Sequence, residues 1–189
     1  MLRLALAAGL LAAASAAAVA APSRTDWAAL HRPLHLPRVE SGSTCPVSRV
    51  DRRVDWDGAN IFGGSGIGRG PVYAGLGPAA TAFATPDEQF GSRWGGAKVF
   101  WYVLPSYRGR VLLRGRRLDG PQRLGFNGRR IPETELRIEV GETVAWEGHV
   151  PGSRGVPSGV RVLVPGCYGV QADGSTFSKV IVFRVTLTG

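Results

Sequence analysis

The last quarter of the chain carries the feature that most restricts its fold. Residues 165–174 read Pro-Gly-Cys-Tyr-Gly-Val-Gln-Ala-Asp-Gly, and residues 177–187 then alternate apolar and polar side chains. The Asp-Gly pair is a turn signal, and alternation with a period of two is typical of a strand with one buried face. We therefore expect a closing β-hairpin in a protein built mainly of strands.

The first twenty residues have the pattern of a secretory signal peptide. Arg3 precedes an apolar run over residues 4–11, and the alanine-rich sequence that follows ends in Ala-Val-Ala at residues 18–20. We expect cleavage after residue 20 and export to the periplasm, the cell wall or the extracellular space. No later run is apolar for long enough to span a bilayer, so no membrane span is expected in the mature chain. About 170 residues remain, the length of one domain.

Two cysteines, Cys45 and Cys167, lie in the predicted mature chain. An even number of cysteines in an exported protein favours a disulfide over two free thiols. The bond would close a loop of roughly 120 residues, for which chain entropy predicts a stabilisation of about 4–5 kcal/mol.

Turn residues divide the rest of the chain into short segments. Prolines break residues 21–69, which we interpret as an extended arm with a glycine-rich end, and residues 70–189 are predicted to form an antiparallel β-sandwich domain. Residues 99–104 are apolar on both faces and predict a central strand. The candidate strands are residues 71–76, 97–104, 109–115, 123–127, 135–140, 143–147, 160–164, 167–172 and 177–187.

Part of the closing hairpin resembles strand F of immunoglobulin-like domains. The match is Gly166-x-Tyr168-x-Val170-x-Ala172, where the family has Gly-x-Tyr-x-Cys-x-Ala. Val170 replaces the family's core cysteine, and Cys167 has the opposite parity. The resemblance thus implies that the disulfide pins the arm to the outside or the end of an immunoglobulin-like sandwich. Residues 95–187 also look like a group of uncharacterised exported bacterial proteins with such a tail, which implies no activity.

The formal net charge is +9, and arginine supplies every basic side chain except Lys98 and Lys179. A basic exported protein is attracted to polyanions, and forked guanidinium groups suit such ligands. An anionic cell-envelope polymer is the expected partner, and nucleic acid is not expected. An arginine-rich composition unrelated to binding would explain the same pattern. The candidate binding residues are Arg110, Arg114, Arg116, Arg117, Arg129 and Arg130.

The sequence predicts no catalytic residue, metal site or cofactor. His31 and His35 have the spacing of ligands on one helical face, but Pro33 between them prevents a helix. His149 and Cys167 would make a nucleophilic pair only if that thiol were free. Three tryptophans outside the strongest strands are candidates for stacking on sugar or for packing under loops, namely Trp27, Trp56 and Trp94.

These patterns together favour a non-enzymatic exported module, either binding or structural. It would contact an anionic envelope component, or another exported protein, through the arginine-rich face. The alternatives are an exported hydrolase with an unrecognised active site and a domain that docks on one protein.

Overall fold

A computed structural model describes residues 26–87, 92–128, 130–144 and 146–188. The predicted signal peptide lies outside the described residues. Two short helices, α1 (Asp26–Leu30) and α2 (Trp56–Ala59), precede the strands. The Asp55 carboxylate caps α2 by accepting a hydrogen bond from the Gly58 N–H at 2.9 Å. No helix in the described part of the chain has the length and apolar character needed to cross a membrane.

Ten strands within the described residues make the protein all-β, as the sequence predicts. They are β1 (Gly66–Ile67), β2 (Val72–Gly75), β3 (Thr81–Asp87), β4 (Ser92–Val103), β5 (Val111–Arg117), β6 (Gly125–Phe126), β7 (Glu135–Ile138), β8 (Arg154–Val162), β9 (Gly166–Gly174) and β10 (Phe177–Leu187). Hydrogen bonds join them into one mixed sheet with the order β1-β2-β4-β3-β10-β9-β5-β7, while β8 pairs with β4 and β6. The closing hairpin is confirmed as the antiparallel pair β9 and β10.

Strand β3 joins the two halves of this sheet. Residues 81–84 pair with β10 in parallel, whereas residues 85–87 pair with β4 in the antiparallel direction. Side chains from the β4 half, such as Val99 and Trp101, share one buried cluster with Val170 and Phe183 from the β9–β10 half. Both halves of the sheet therefore build the main hydrophobic core.

Strand β4 is covered on both faces in its second half. Val99 and Trp101 face the main core, while Phe100 and Tyr102 point the other way. These two aromatic rings pack in a second cluster that includes Trp56 of α2. The prediction of a central strand buried on both sides is confirmed.

The N-terminal arm lies outside the main core and is fastened by the predicted disulfide between Cys45 and Cys167, which is confirmed. Leu36 and Val182 pack around it in a third cluster. The Ser48 N–H donates to the Val182 carbonyl at 2.8 Å, and the Ser48 hydroxyl accepts from the Val182 N–H at 2.9 Å. The arm is therefore held on β9 by a covalent bond and on β10 by backbone pairing.

One strand predicted from the sequence is wrong, and strand β3 was not predicted. Residues 143, 144, 146 and 147 lie in a loop rather than in a strand. The sequence of β3 does not look like a strand, because its inward positions are the small residues Ala82 and Ala84 and Pro86 lies near its end. Alanine and proline are both uncommon in strands, so this segment gives a weak signal.

Candidate functional site

A wide groove of about 900 Å³ opens between the N-terminal arm, the loop after β1 and the start of β10. We call it the basic groove. Its charged lining residues are Arg49, Asp51, Arg52, Arg53, Arg69 and Lys179. Cations outnumber the single carboxylate in this lining, so the groove is strongly positive.

Backbone pairing on both sides of the arm positions these residues. Val50 forms an antiparallel bridge with Ile67 of β1, and the Gly68 N–H donates to the Arg49 carbonyl at 3.0 Å. On its other side, the arm is bonded to β10 through Ser48. The groove is thus bordered by hydrogen-bonded segments, and its shape does not depend on a free loop.

Asp51 is already neutralised by its neighbours. The Arg53 guanidinium donates to this carboxylate at 2.9 and 2.8 Å, and the Tyr73 hydroxyl donates to it at 2.9 Å. The bonds from Arg53 hold the pKa of Asp51 well below its usual range, although burial acts in the opposite direction. Burial and the bond to Asp51 raise the pKa of Tyr73. The carboxylate therefore remains ionised and balances Arg53.

Four cations of the groove remain uncompensated. Arg49, Arg52, Arg69 and Lys179 are all exposed, and within the described residues their charged groups form no ion pair or hydrogen bond. Guanidinium groups bind phosphate and carboxylate oxygens through two parallel hydrogen bonds, and an ammonium adds a point charge. The groove can accordingly take an extended anion.

Several arginines predicted to bind ligand have partners inside the protein. Arg114 donates to the buried carboxylate of Asp173 at 2.8 Å, and Arg117 donates to Asp119 at 2.6 Å. Arg110 donates to a Glu139 carboxylate oxygen at 2.8 Å. These three guanidinium groups therefore carry charge that neighbouring acids offset.

The remaining predicted arginines have different surroundings. Arg116 is half-buried and forms an isolated bridge with Arg123, while Arg130 is exposed and its carbonyl accepts from the Ser92 hydroxyl at 2.8 Å. Arg129 lies outside the described residues. The assignment of a binding role to the six arginines stays a prediction.

The structure does not bring the three histidines together. His31 is bonded to Glu135 at 2.6 Å, His35 lies on the arm, and His149 packs edge-on against Trp146 with ring centroids 4.5 Å apart. Among the described residues, no three side chains of the types that bind metals are grouped. The disulfide removes the Cys167 thiol from any nucleophilic role.

Of the tryptophans proposed as stacking surfaces, Trp56 is buried and its indole N–H donates to the Asp51 carbonyl at 2.9 Å. Trp27 is half-buried, with the guanidinium carbons of Arg110 and Arg137 at 5.5 and 5.2 Å from its ring. Two guanidinium groups therefore share a ring that is already half-buried, which leaves less of it open to a ligand than a fully exposed ring would offer.

Sequence reasoning missed the basic groove because its cations are scattered along the chain. Arg49, Arg52 and Arg53 lie in the arm, Arg69 follows β1, and Lys179 lies in β10. The available signal was the disulfide, since a bond from Cys45 to β9 places the residues that follow Cys45 beside β10.

Comparison of the chain with protein-family models, with curated proteins and with solved structures finds no match.

Proposed function

We propose that this protein is an exported, non-enzymatic module that binds an anionic component of the cell envelope in the basic groove. The observation that carries this proposal is the set of uncompensated cations, Arg49, Arg52, Arg69 and Lys179, around one groove whose carboxylate is balanced by Arg53. Binding in this groove needs no catalytic group, because charge and hydrogen bonding alone would hold the ligand.

Export is supported by two independent features. The N-terminal twenty residues have the composition of a signal peptide. The Cys45–Cys167 disulfide is of the kind that persists in oxidising compartments outside the cytoplasm. In such a compartment, wall polymers and anionic lipid surfaces are the abundant polyanions.

For the fold, we propose an immunoglobulin-like sandwich. The Tyr168 hydroxyl donates to the Val164 carbonyl at 2.7 Å, four residues upstream, which resembles the tyrosine corner of that family. Val170 is fully buried in the main core, at the position of the family's cysteine. This proposal concerns the scaffold only and adds no activity.

The test is co-sedimentation of residues 21–189 with isolated host envelopes across a salt series. The variant R49A/R52A/R69A removes three uncompensated charges from the groove. We expect its affinity to fall at least about tenfold and wild-type binding to weaken with salt, since exposed charges are screened within about 10 Å at 0.1 M salt.

The matched control is R93A/R123A/R130A, which removes the same charge from exposed positions outside the groove. We expect about a twofold loss of affinity, because these substitutions change only the long-range electrostatic field of the protein. A larger loss in the control than in the groove variant would place the binding surface outside the basic groove. Binding that salt does not weaken would contradict the proposal and favour a domain that docks on one protein.

A further inference from the structure

A second cleft, chemically unlike the basic groove, lies on the face of β4 that points away from the main core. It has a volume of about 580 Å³ and is flanked by the loop at residues 60–64 and by residues 144, 146 and 147 of a second loop. We call it the aromatic cleft. The residues that matter for its chemistry are Asn60, Phe62, Lys98, Phe100, Trp146 and Glu147.

The two loops of the aromatic cleft are fixed to each other. The Trp146 indole N–H donates to the Ala59 carbonyl at 2.9 Å. Gly148 has a left-handed backbone, and a side chain there would collide with Asn60. The Trp146 ring also meets Phe100 edge-on, with centroids 5.3 Å apart. The walls are thus in place before any ligand arrives, which lowers the cost of binding.

Phe62 is held at the rim of the cleft instead of in a core. Its side chain is 63% exposed. A side chain at Gly75 would collide with the Phe62 carbonyl, and one at Gly63 would collide with the Gly75 carbonyl. This close backbone contact keeps the residue 62 backbone against β2. The exposed phenyl ring thus extends the apolar wall that Phe100 and Trp146 give to the cleft.

The polar groups of the cleft carry both signs of charge. The Lys98 ammonium lies 5.5 Å from the centre of the Phe62 ring, and the Glu147 carboxylate is exposed in the other loop. Asn60 adds an amide that can both donate and accept. A long hydrocarbon chain laid over these groups would shield them from water without replacing their hydrogen bonds to water. A polyanion would gain no net attraction, because one ammonium and one carboxylate line the cleft.

We propose that the aromatic cleft binds a neutral sugar ring. A pyranose ring has an apolar face of C–H groups and a polar rim of hydroxyl groups. Its apolar face can pack against an aromatic side chain of the cleft. Its hydroxyl groups both donate and accept, which matches the carboxylate, ammonium and amide of Glu147, Lys98 and Asn60. This site is independent of the basic groove and would recognise the uncharged part of a glycan.

The experiment is calorimetric titration of the protein with three neutral trisaccharides: N,N′,N″-triacetylchitotriose, cellotriose and maltotriose. We expect saturable binding of at least one, with a Kd of about 1 mM or tighter. The variant Phe62→Ala should weaken it at least about tenfold, because the ring that the sugar packs on is lost. The matched control is Phe83→Ala on β3, which removes a phenyl ring of the same 63% exposure outside the cleft and should change nothing.

Two further variants separate stacking from hydrogen bonding. Glu147→Gln keeps an acceptor and should retain most of the affinity, whereas Glu147→Ala should lose several-fold. Thermal unfolding of each variant shows whether it is folded, and these exposed positions are not expected to matter for stability. Absence of saturable binding to all three sugars, or equal binding by Phe62→Ala and wild type, would overturn the proposal.

Discussion

The arginine-rich segment 108–130 and the basic groove differ in what surrounds their cations. In the segment, Arg114 and Arg117 each donate to a carboxylate at hydrogen-bond distance. In the groove, Arg49 and Arg52 are exposed and have no ion pair among the described residues, and the carboxylate of Asp51 is balanced by Arg53. The density of arginine along a sequence is therefore a poor guide to available positive charge, because acids elsewhere in the chain decide how much of it is offset.

The two regions also differ in how they are held. The segment includes β5, which pairs with β7 and β9 and belongs to the sheet. The groove depends on residues 46–53 of the arm, which the disulfide and the Ser48 bonds attach to the sheet. Disturbing the arm should thus change the groove and leave the segment intact.

Removing the disulfide has the largest expected effect. The variant C45S/C167S should lose about 4 kcal/mol of unfolding free energy, because the unfolded chain is no longer closed into a loop of 122 residues. Affinity for envelopes should fall with it, since the arm is released. Urea unfolding and co-sedimentation measure the two changes, and reduction of the wild type is the control. Full affinity in a folded variant would mean that backbone bonds alone hold the groove.

The second-largest expected effect is a difference in unfolding free energy between a variant of a paired arginine and a variant of an uncompensated one. Arg114→Ala leaves the fully buried Asp173 carboxylate without its cation, and we expect a loss of about 3 kcal/mol in unfolding free energy. Arg52→Ala should change stability by less than about 0.5 kcal/mol, because this side chain is exposed and has no described partner. Urea unfolding at pH 7 tests both. Equal losses would contradict the distinction between the two regions.

The scaffold could be predicted where the signal is local. The β9–β10 hairpin has alternating residues on both sides of an Asp-Gly turn, and β4 has a continuous apolar run, so both follow from neighbouring residues. The disulfide followed from an even cysteine count in an exported chain. Strand β3 could not be found in this way, since Ala82 and Ala84 become a strand only through pairing with β10.

The candidate sites were harder to predict because each joins distant parts of the chain. In the aromatic cleft, Phe62 and Trp146 line one cavity because their two loops lie beside β4. In the basic groove, Lys179 and Arg49 line one cavity because the arm is bonded to β10. No periodicity or spacing in the sequence encodes those contacts. The density of arginine between residues 108 and 130 is visible in the sequence. The buried carboxylate of Asp173 that pairs with Arg114 is not.

The smallest expected effect is on stability and comes from one carboxylate in each region, Asp51 in the basic groove and Asp119 in the arginine-rich segment. Arg53 lowers the pKa of Asp51. Burial raises the pKa of Asp119, but the donors Arg117 and the Cys167 N–H outweigh it and leave that pKa below its usual range. Both carboxylates thus stabilise the folded state above about pH 4, the usual value in the unfolded chain, and this contribution is lost as pH falls through the lower folded pKa.

The variants Asp51→Asn and Asp119→Asn should each unfold at lower urea than wild type at pH 7, by less than the change in Arg114→Ala. Both differences should narrow as pH falls below about 4, because the unfolded wild-type chain then binds protons at these carboxylates while the folded state, with its lowered pKa values, does not. Only Asp51→Asn should raise affinity for envelopes, since it frees Arg53 within the groove while Asp119 lies outside it. A similar gain in both variants would show that overall charge, and not the groove, governs binding.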